Sequence, residues 1–216
     1  MDSSRTTPRR PYAPRMRPEQ RREQLLDAAL EIINTDGVPA VSVDGVARRA
    51  GVTRPVVYGL FTDSDHILRE LLDRESRRAL AQLAAVVPAD LTDADPVATF
   101  TTVADGFYRA VLAEPARWRS ILLPVDAAPP PVRAYKERGE AEIRAQFADI
   151  TRHFLTGRPG TDTIDIDLLA HILLNAMEEG ARLLLRDPTT YPPERLTAMA
   201  EFLVETFLHR YPAAPA

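Results

Sequence analysis

From Pro18 apolar residues return at the three-and-four step of a helix. Leu25, Leu26, Ala29, Leu30, Ile32 and Ile33 share one face, and Gly37 follows with the left-handed freedom that stops it. The same period resumes after Phe61, where Ile67, Leu68, Leu71, Leu72, Ala79, Leu80 and Leu83 predict one long helix from about Ser64 to Val87. Further on, the pattern predicts helices over about 95–112, 115–123, 131–156, 165–187 and 193–209. Pro88 and Pro96 bracket a loop, and Ala127-Ala-Pro-Pro-Pro131 and Gly157-Arg-Pro-Gly160 are breaks between helices. No stretch alternates apolar and polar long enough to demand a sheet, so the expected fold is all-α, without internal repeats.

Between the first two long segments lies Ser42-Val-Asp-Gly-Val-Ala-Arg-Arg-Ala-Gly51-Val-Thr-Arg-Pro-Val-Val-Tyr-Gly-Leu-Phe61, which reads as two short helices meeting at a tight turn. Ser42 can accept a bond from the open N–H groups of the first, Asp44 lies in its positive first turn, and Val41 and Val46 flank the cap at staple spacing. Ala47 is small where the helices touch, Gly51 permits the turn, and Val57 falls on the inner face of the second helix. Pro55 dates the start of that helix, because first-turn N–H groups have no intrahelical partner to lose. Proline also pushes its predecessor away from α geometry, which leaves Arg54 as cap or first residue and Thr53 at the cap or just outside it. The pattern is a helix-turn-helix, although the same Ala…Gly…Val turn also joins packed helices that touch no DNA.

Charge sharpens this picture. The net charge of −4 divides into +3 over residues 1–60 and −7 over the rest, so positive charge gathers beside the helix-turn-helix. An acidic body with one basic end suits a protein that presents that end to a polyanion. Residues 1–17 carry Arg5, Arg9, Arg10, Arg15 and Arg17 among Ser, Thr and Pro, and are expected to form a disordered basic arm that lies in a minor groove or keeps the chain soluble. Arg21 and Arg22, at the exposed start of the first helix, are candidates for phosphates.

The stretch 19–72 resembles the DNA-binding domain of TetR-type transcriptional regulators: an Ala-Gly-Val-Thr turn, Tyr58-Gly-Leu-Phe61 closing the recognition helix, and Asp36-Gly37 ending the helix before. The resemblance implies that Tyr58 meets a phosphate and Phe61 packs under the next helix. It also implies a lysine in a Ser-Lys-Glu-like cap, where this chain has Asp63-Ser64-Asp65 instead. The candidate DNA-binding set is Arg15, Arg17, Arg21, Ser42, Val43, Thr53, Arg54, Pro55, Val56 and Tyr58.

The expected organisation is the arm (1–17), a helix-turn-helix domain (18–72) and a larger helical effector-binding and dimerisation domain (73–216), with the middle boundary inside one long helix. On the helix 165–187, Ile166, Leu169, Ala170, Leu173, Met177, Gly180, Ala181 and Leu184 form one stripe, and Leu196, Met199, Phe202, Leu203 and Phe207 form another on the last helix. Such stripes serve an intrachain core or a partner. TetR-type regulators pair through their last two helices, which implies a homodimer interface including Leu173, Met177, Gly180, Leu184, Met199 and Phe202. The family also implies a small-molecule effector between the helices of this domain. Phe107, Val111, Trp118, Leu122, Tyr135 and Phe147 are candidates for a mostly apolar wall, with Tyr108 beside them and His171 and Asn175 as polar guides. Aromatics at helical spacing also simply build cores.

The chain has no cysteine, so disulfides, thiolate metal sites and cysteine nucleophiles are excluded and a reducing, cytoplasmic compartment is expected. No apolar run spans a bilayer, and the N-terminus lacks an apolar signal core. There is no P-loop, dinucleotide fingerprint, Gly-x-Ser-x-Gly or His-Glu-x-x-His motif. His66, His153, His171 and His209 fall in different predicted helices, and the carboxylates of Glu178-Glu179 diverge by about 100° on theirs. No catalytic, metal or cofactor residue is expected. The expected function is a homodimeric repressor that binds a palindromic operator in double-stranded DNA and leaves it when a largely apolar effector binds. An activator or a ligand-independent DNA-binding protein of the same fold is the alternative, ahead of a helical enzyme or scaffold.

Overall fold

The computed structural model describes residues 16–86, 91–92, 94–122 and 130–212. Among them the regular structure is helical: α1 (Pro18–Asp36), α2 (Val43–Arg49), α3 (Arg54–Tyr58), α4 (Ser64–Ala84), α5 (Pro96–Ala113), α6 (Pro115–Ile121), α7 (Pro130–Leu155), α8 (Ile166–Arg186) and α9 (Pro193–Arg210). The boundaries follow the chemistry of helix starts. Proline occupies the first turn of α1, α3, α5, α6 and α9, where its missing N–H costs nothing. Carboxylates cap three helices: Asp63 accepts from the N–H of His66 at 2.7 Å, Asp95 from Ala98 at 2.7 Å and Asp165 from Leu168 at 3.0 Å. Gly37 ends α1 with φ 82°. No helix among the described residues is long and apolar enough to cross a membrane.

Two buried clusters hold the helices. The first joins Leu25, Ala29 and Ile32 of α1, Val46 and Ala47 of α2, Val57 of α3, Phe61, and Ile67 and Leu71 of α4, with Val132 of α7 reaching in. The second joins Ala79 of α4, Ala104, Phe107, Tyr108 and Val111 of α5, Trp118 and Leu122 at α6, and Ala181 and Leu184 of α8. α9 lies along α5, and α7 against α8. The long helix α4 contributes to both clusters, so its two ends are anchored in different cores.

Residues 1–15, with Arg15 and most of the expected arm, lie outside the described residues, as do Pro88 and the segment 123–129.

Candidate nucleic-acid interface

The α2–turn–α3 unit is built by the contacts its spacing requires. Ser42 caps α2, its Oγ accepting the N–H of Gly45 at 3.0 Å, and Val41 and Val46 on either side of that cap are buried. Gly51 takes φ 66°, which lets Val52 return its N–H to the carbonyl of Ala47 at 2.9 Å and turns the chain into α3. Thr53 is the extended cap residue (φ −88°, ψ 153°), Arg54 the first helical residue and Pro55 the second, which decides between the two registers left open by the proline. Val57 is fully buried, whereas Arg54, Pro55, Val56 and Tyr58 all face solvent, Tyr58 with 59% of its surface exposed. The short helix is thus pinned by one inward valine and turns its other side chains outward.

Thr53 is exposed and its hydroxyl makes no capping bond, so it too is turned outward. Val43 packs partly against the first cluster, and Arg17 is exposed at the start of α1. Arg21 donates to Gln24 at 2.6 Å, and Gln24 in turn donates to the carbonyl of Ala50 at 3.1 Å, tying α1 to the turn.

Two arginines are less available than the sequence suggests. Arg22 pairs with Glu70, donates to the carbonyl of Leu60 at 3.3 Å and lies 5.0 Å over the ring of Phe61, so it braces α1 on α4 rather than reaching outward. Arg54, a candidate DNA-binding residue, is held by Asp44: Nε pairs with Oδ1 and Nη2 with Oδ2. Both partners stand in the first turns of their helices, a pairing across the turn that linear spacing does not display. In the segment where the resemblance leads one to expect a lysine, near Ser64, Asp63 caps α4. The His66 N–H holds that carboxyl below its usual range, a slight burial opposes this, and Thr62 adds to it.

Residues 25–71 match the family model described as "Bacterial regulatory proteins, tetR family". This region, the helix-turn-helix with its flanking helices, is of the TetR type. Its similarity to curated relatives is regional. It is 41% identical over 54 residues to TtgW of Pseudomonas putida, described as an uncharacterized HTH-type transcriptional regulator, over 25% of this chain and 40% of that one. It is 36% identical to the HTH-type transcriptional regulator BetI of Burkholderia cenocepacia, over 35% of this chain and 46% of that one. The chain therefore spans less than half the length of these relatives. The fold extends further than the sequence similarity. A TetR-like transcriptional regulator from Rhodococcus sp. RHA1 superposes with a TM-score of 0.71 at 21% identity, over 90% of this chain and 99% of that one. The fatty acid degradation regulator FadR from Bacillus halodurans does so with 0.70 at 14%, over 85% and 94%.

Beyond the TetR-type region the remaining candidate residues divide differently from the expectation. Phe107, Val111, Trp118 and Leu122 do converge, but on one another: Phe107 meets Trp118 edge-on at 5.1 Å and Tyr108 at 5.4 Å. The indole Nε1 of Trp118 is buried without a hydrogen-bond partner among the described residues. Phe147 is not in this group; it sits with Phe100, 6.0 Å away, which also meets Phe154. Asn175 is exposed and its amide is taken up by the carbonyl of His171 at 2.7 Å, while His171 is half-buried. The side chain of Tyr135 lies outside the described residues.

The expected pairing stripe also needs correction. Gly180 and Leu184 are buried inside the chain, Gly180 against Tyr108, because α8 crosses α5 there; they have no surface to offer a partner. Met177 packs partly on the same cluster and Leu173 is half-buried. The apolar surface left on α8 is Leu168 and Ile172, the latter 55% exposed, one helical face around from the expected stripe. Met199 and Phe202 on α9 are exposed, Phe202 by 59%, with Leu203 beside them.

Sequence reasoning missed a buried charge cluster. Glu75, 1% exposed, accepts from Arg74 at 2.7 Å, Arg117 at 3.0 Å and Arg78 at 3.3 Å. Arg74 continues to Glu23 at 3.0 Å and Asp27 at 2.8 Å on α1. Burial works against the charge of Arg74, but Glu75, Asp27 and Glu23 together outweigh it and raise its pKa. The cluster links α6, α4 and α1. Its sequence signal is no more than a charged pair, Arg74-Glu75, interrupting the apolar face of α4.

Proposed function

We propose that this chain is a homodimeric, sequence-specific DNA-binding transcriptional regulator, a repressor that a small, largely apolar effector releases from a palindromic operator. The observation that carries the reading is the face of α3: Val57 is locked inside while Thr53 at the cap and Arg54, Pro55, Val56 and Tyr58 along the helix stand outward, exposed among the described residues. This is the way a recognition helix enters a major groove, its N-terminal residues toward base edges. In this reading residues 18–72 read DNA and 73–216 bind the effector and pair, with residues 1–17 adding sequence-tolerant contacts to the backbone. Tyr58 meets a phosphate through its hydroxyl, and Arg17 and Arg21 lie where the backbone passes.

Two such helices in a dimer read successive grooves about 34–36 Å apart, so a change in their separation spoils both contacts together. An effector that moves the population from mostly competent to mostly incompetent must prefer the second state by about 5 kcal/mol. The indole N–H of Trp118, without a partner among the described residues, supports an effector with one acceptor: such a donor is costly when buried, and a ligand oxygen would satisfy it. The close packing of Phe107, Tyr108 and Trp118 supports the second reading, a ligand-independent regulator of the same fold.

The test is fluorescence anisotropy of the full chain with the palindromic duplex nearest its own gene and a scrambled duplex, at one salt concentration. The reading expects the palindrome to bind about a thousandfold more tightly or better. Equal affinity for the two sinks it. Titrating apolar acceptor-bearing compounds into the complex separates the two readings, since only the first predicts release.

A further inference from the structure

We propose that Asp44 is a positioning residue for base recognition: its carboxylate grips the guanidinium of Arg54, aims the remaining donors at a base edge, and makes guanine the preferred base there. The proposal rests on the reading of α3 as the recognition helix. Its basis is the two-point contact across the turn, Nε to Oδ1 and Nη2 to Oδ2, between the first helical residue of α3 and a first-turn residue of α2. Ser42 caps α2 and Val46 and Val57 are fully buried, so both ends of the pair stand on well-anchored backbone.

The geometry selects a partner. A guanidinium is planar, and a carboxylate on its Nε–Nη2 edge leaves both donors of Nη1 and the outer donor of Nη2 directed away from Asp44. That end-on pair of nitrogens matches the O6 and N7 acceptors of guanine in the major groove. A phosphate is the other acceptor an exposed arginine can meet. Here, however, the Arg54–Asp44 pair is formally neutral and carries its own carboxylate, which repels a phosphate and gives up the long-range attraction to the backbone. What remains is local hydrogen bonding, whose value depends on the base presented. An unheld arginine at this position would retain many rotamers, and holding it beforehand removes that ordering cost from the binding step. The arrangement exchanges affinity for any DNA against discrimination between sequences.

The experiment selects duplexes from a randomised library with the full-length chain and with Asp44→Asn, Arg54→Ala, Arg54→Lys and the Asp44→Asn/Arg54→Ala double variant. Melting temperature is recorded for each, and affinity is then measured for the wild-type selected duplex and for unselected library. The wild type is expected to enrich guanine at one position of each half-site. Asp44→Asn should weaken that preference about tenfold while binding unselected duplex as well as or better than the wild type, a split that a merely structural role would not produce. Arg54→Ala should lose the same position, with no further change in the double variant. Arg54→Lys keeps the charge without the fork and should lose guanine too. It carries the test should Asp44→Asn fail to fold. The proposal is overturned if Asp44→Asn keeps the guanine preference that Arg54→Ala loses, if Asp44→Asn tightens binding to the selected duplex, or if Arg54→Lys leaves the preference intact. A wild type that enriches no sequence overturns the DNA-reading function itself, a different outcome from enrichment that ignores Arg54 and Asp44.

Discussion

The hydroxyl of Tyr108 on α5 lies 2.6 Å from the point that a Cβ on Gly180 of α8 would occupy, with two ring carbons at 3.1 Å. The crossing of these helices therefore depends on glycine. Gly180→Ala should destabilise the chain by about 1–2 kcal/mol, since overpacking of ~1–3 kcal/mol exceeds the ~1 kcal/mol that alanine gains in a helix. Combining it with Tyr108→Phe, which removes the oxygen, should cost less than the two changes summed, by about 1 kcal/mol in a urea-melt cycle. Strict additivity would show that the two side chains do not share the space.

The same burial pushes the Tyr108 phenol up to about 12. Its folded pKa is raised while an unfolded tyrosine ionises near ~10, so the unfolded chain releases the proton first. Stability due to this group is complete below about pH 10 and declines as pH rises toward the folded value. Ultraviolet titration should show one late-ionising tyrosine that Tyr108→Phe removes, and its persistence in that variant would refute the assignment.

Glu75 is nearly inaccessible and faces three arginines, so removing it takes the buried acceptor from Arg74 Nε and from Arg117 together, although Arg74 keeps Glu23 and Asp27. Glu75→Ala should cost about 3–5 kcal/mol, whereas Arg78→Ala, whose guanidinium is half in solvent, should cost under about 1 kcal/mol. Equal losses in denaturant melts would mean that Glu75 is not the centre of the cluster.

Asp63 caps α4 through the His66 N–H, and its folded pKa is lowered. Its contribution is thus full above the unfolded carboxyl pKa and is lost as pH falls through the lower folded value. Asp63→Ala should cost about 0.5–2 kcal/mol at neutral pH, and the wild-type and variant curves should converge in acid. A constant gap down to pH 2, about two units below an ordinary carboxyl, would show that the cap does not act through its charge.

The proposed dimer draws on Ile172 and Phe202, both more than half exposed on an isolated chain. Ile172→Glu with Phe202→Glu should give a helical monomer by circular dichroism and light scattering, with operator binding weakened at least about tenfold. A dimer of unchanged mass would remove these residues from the interface.

Helix order was legible before any coordinates because helices announce themselves locally, through a period of three to four, a capping Ser or Asp, a first-turn proline, and a glycine at positive φ. The inward turn of Val57 was legible for the same reason, since position within one short helix settles which side faces the core, whereas the outward turn of Tyr58 was implied by the family resemblance. What the sequence could not show depends on which face of one helix meets which face of another. The apolar residues of α8 run round more than one face, and only the crossing of α5 decides that the stripe with Gly180 and Leu184 is core while Ile172, beside it, stays outside. Likewise, Arg54 and Asp44 are ten residues apart, Glu75 and Arg117 forty-two. Charge is not periodic along a chain, and a guanidinium finds its carboxylate only when packing of the apolar faces has brought the two within a few ångströms.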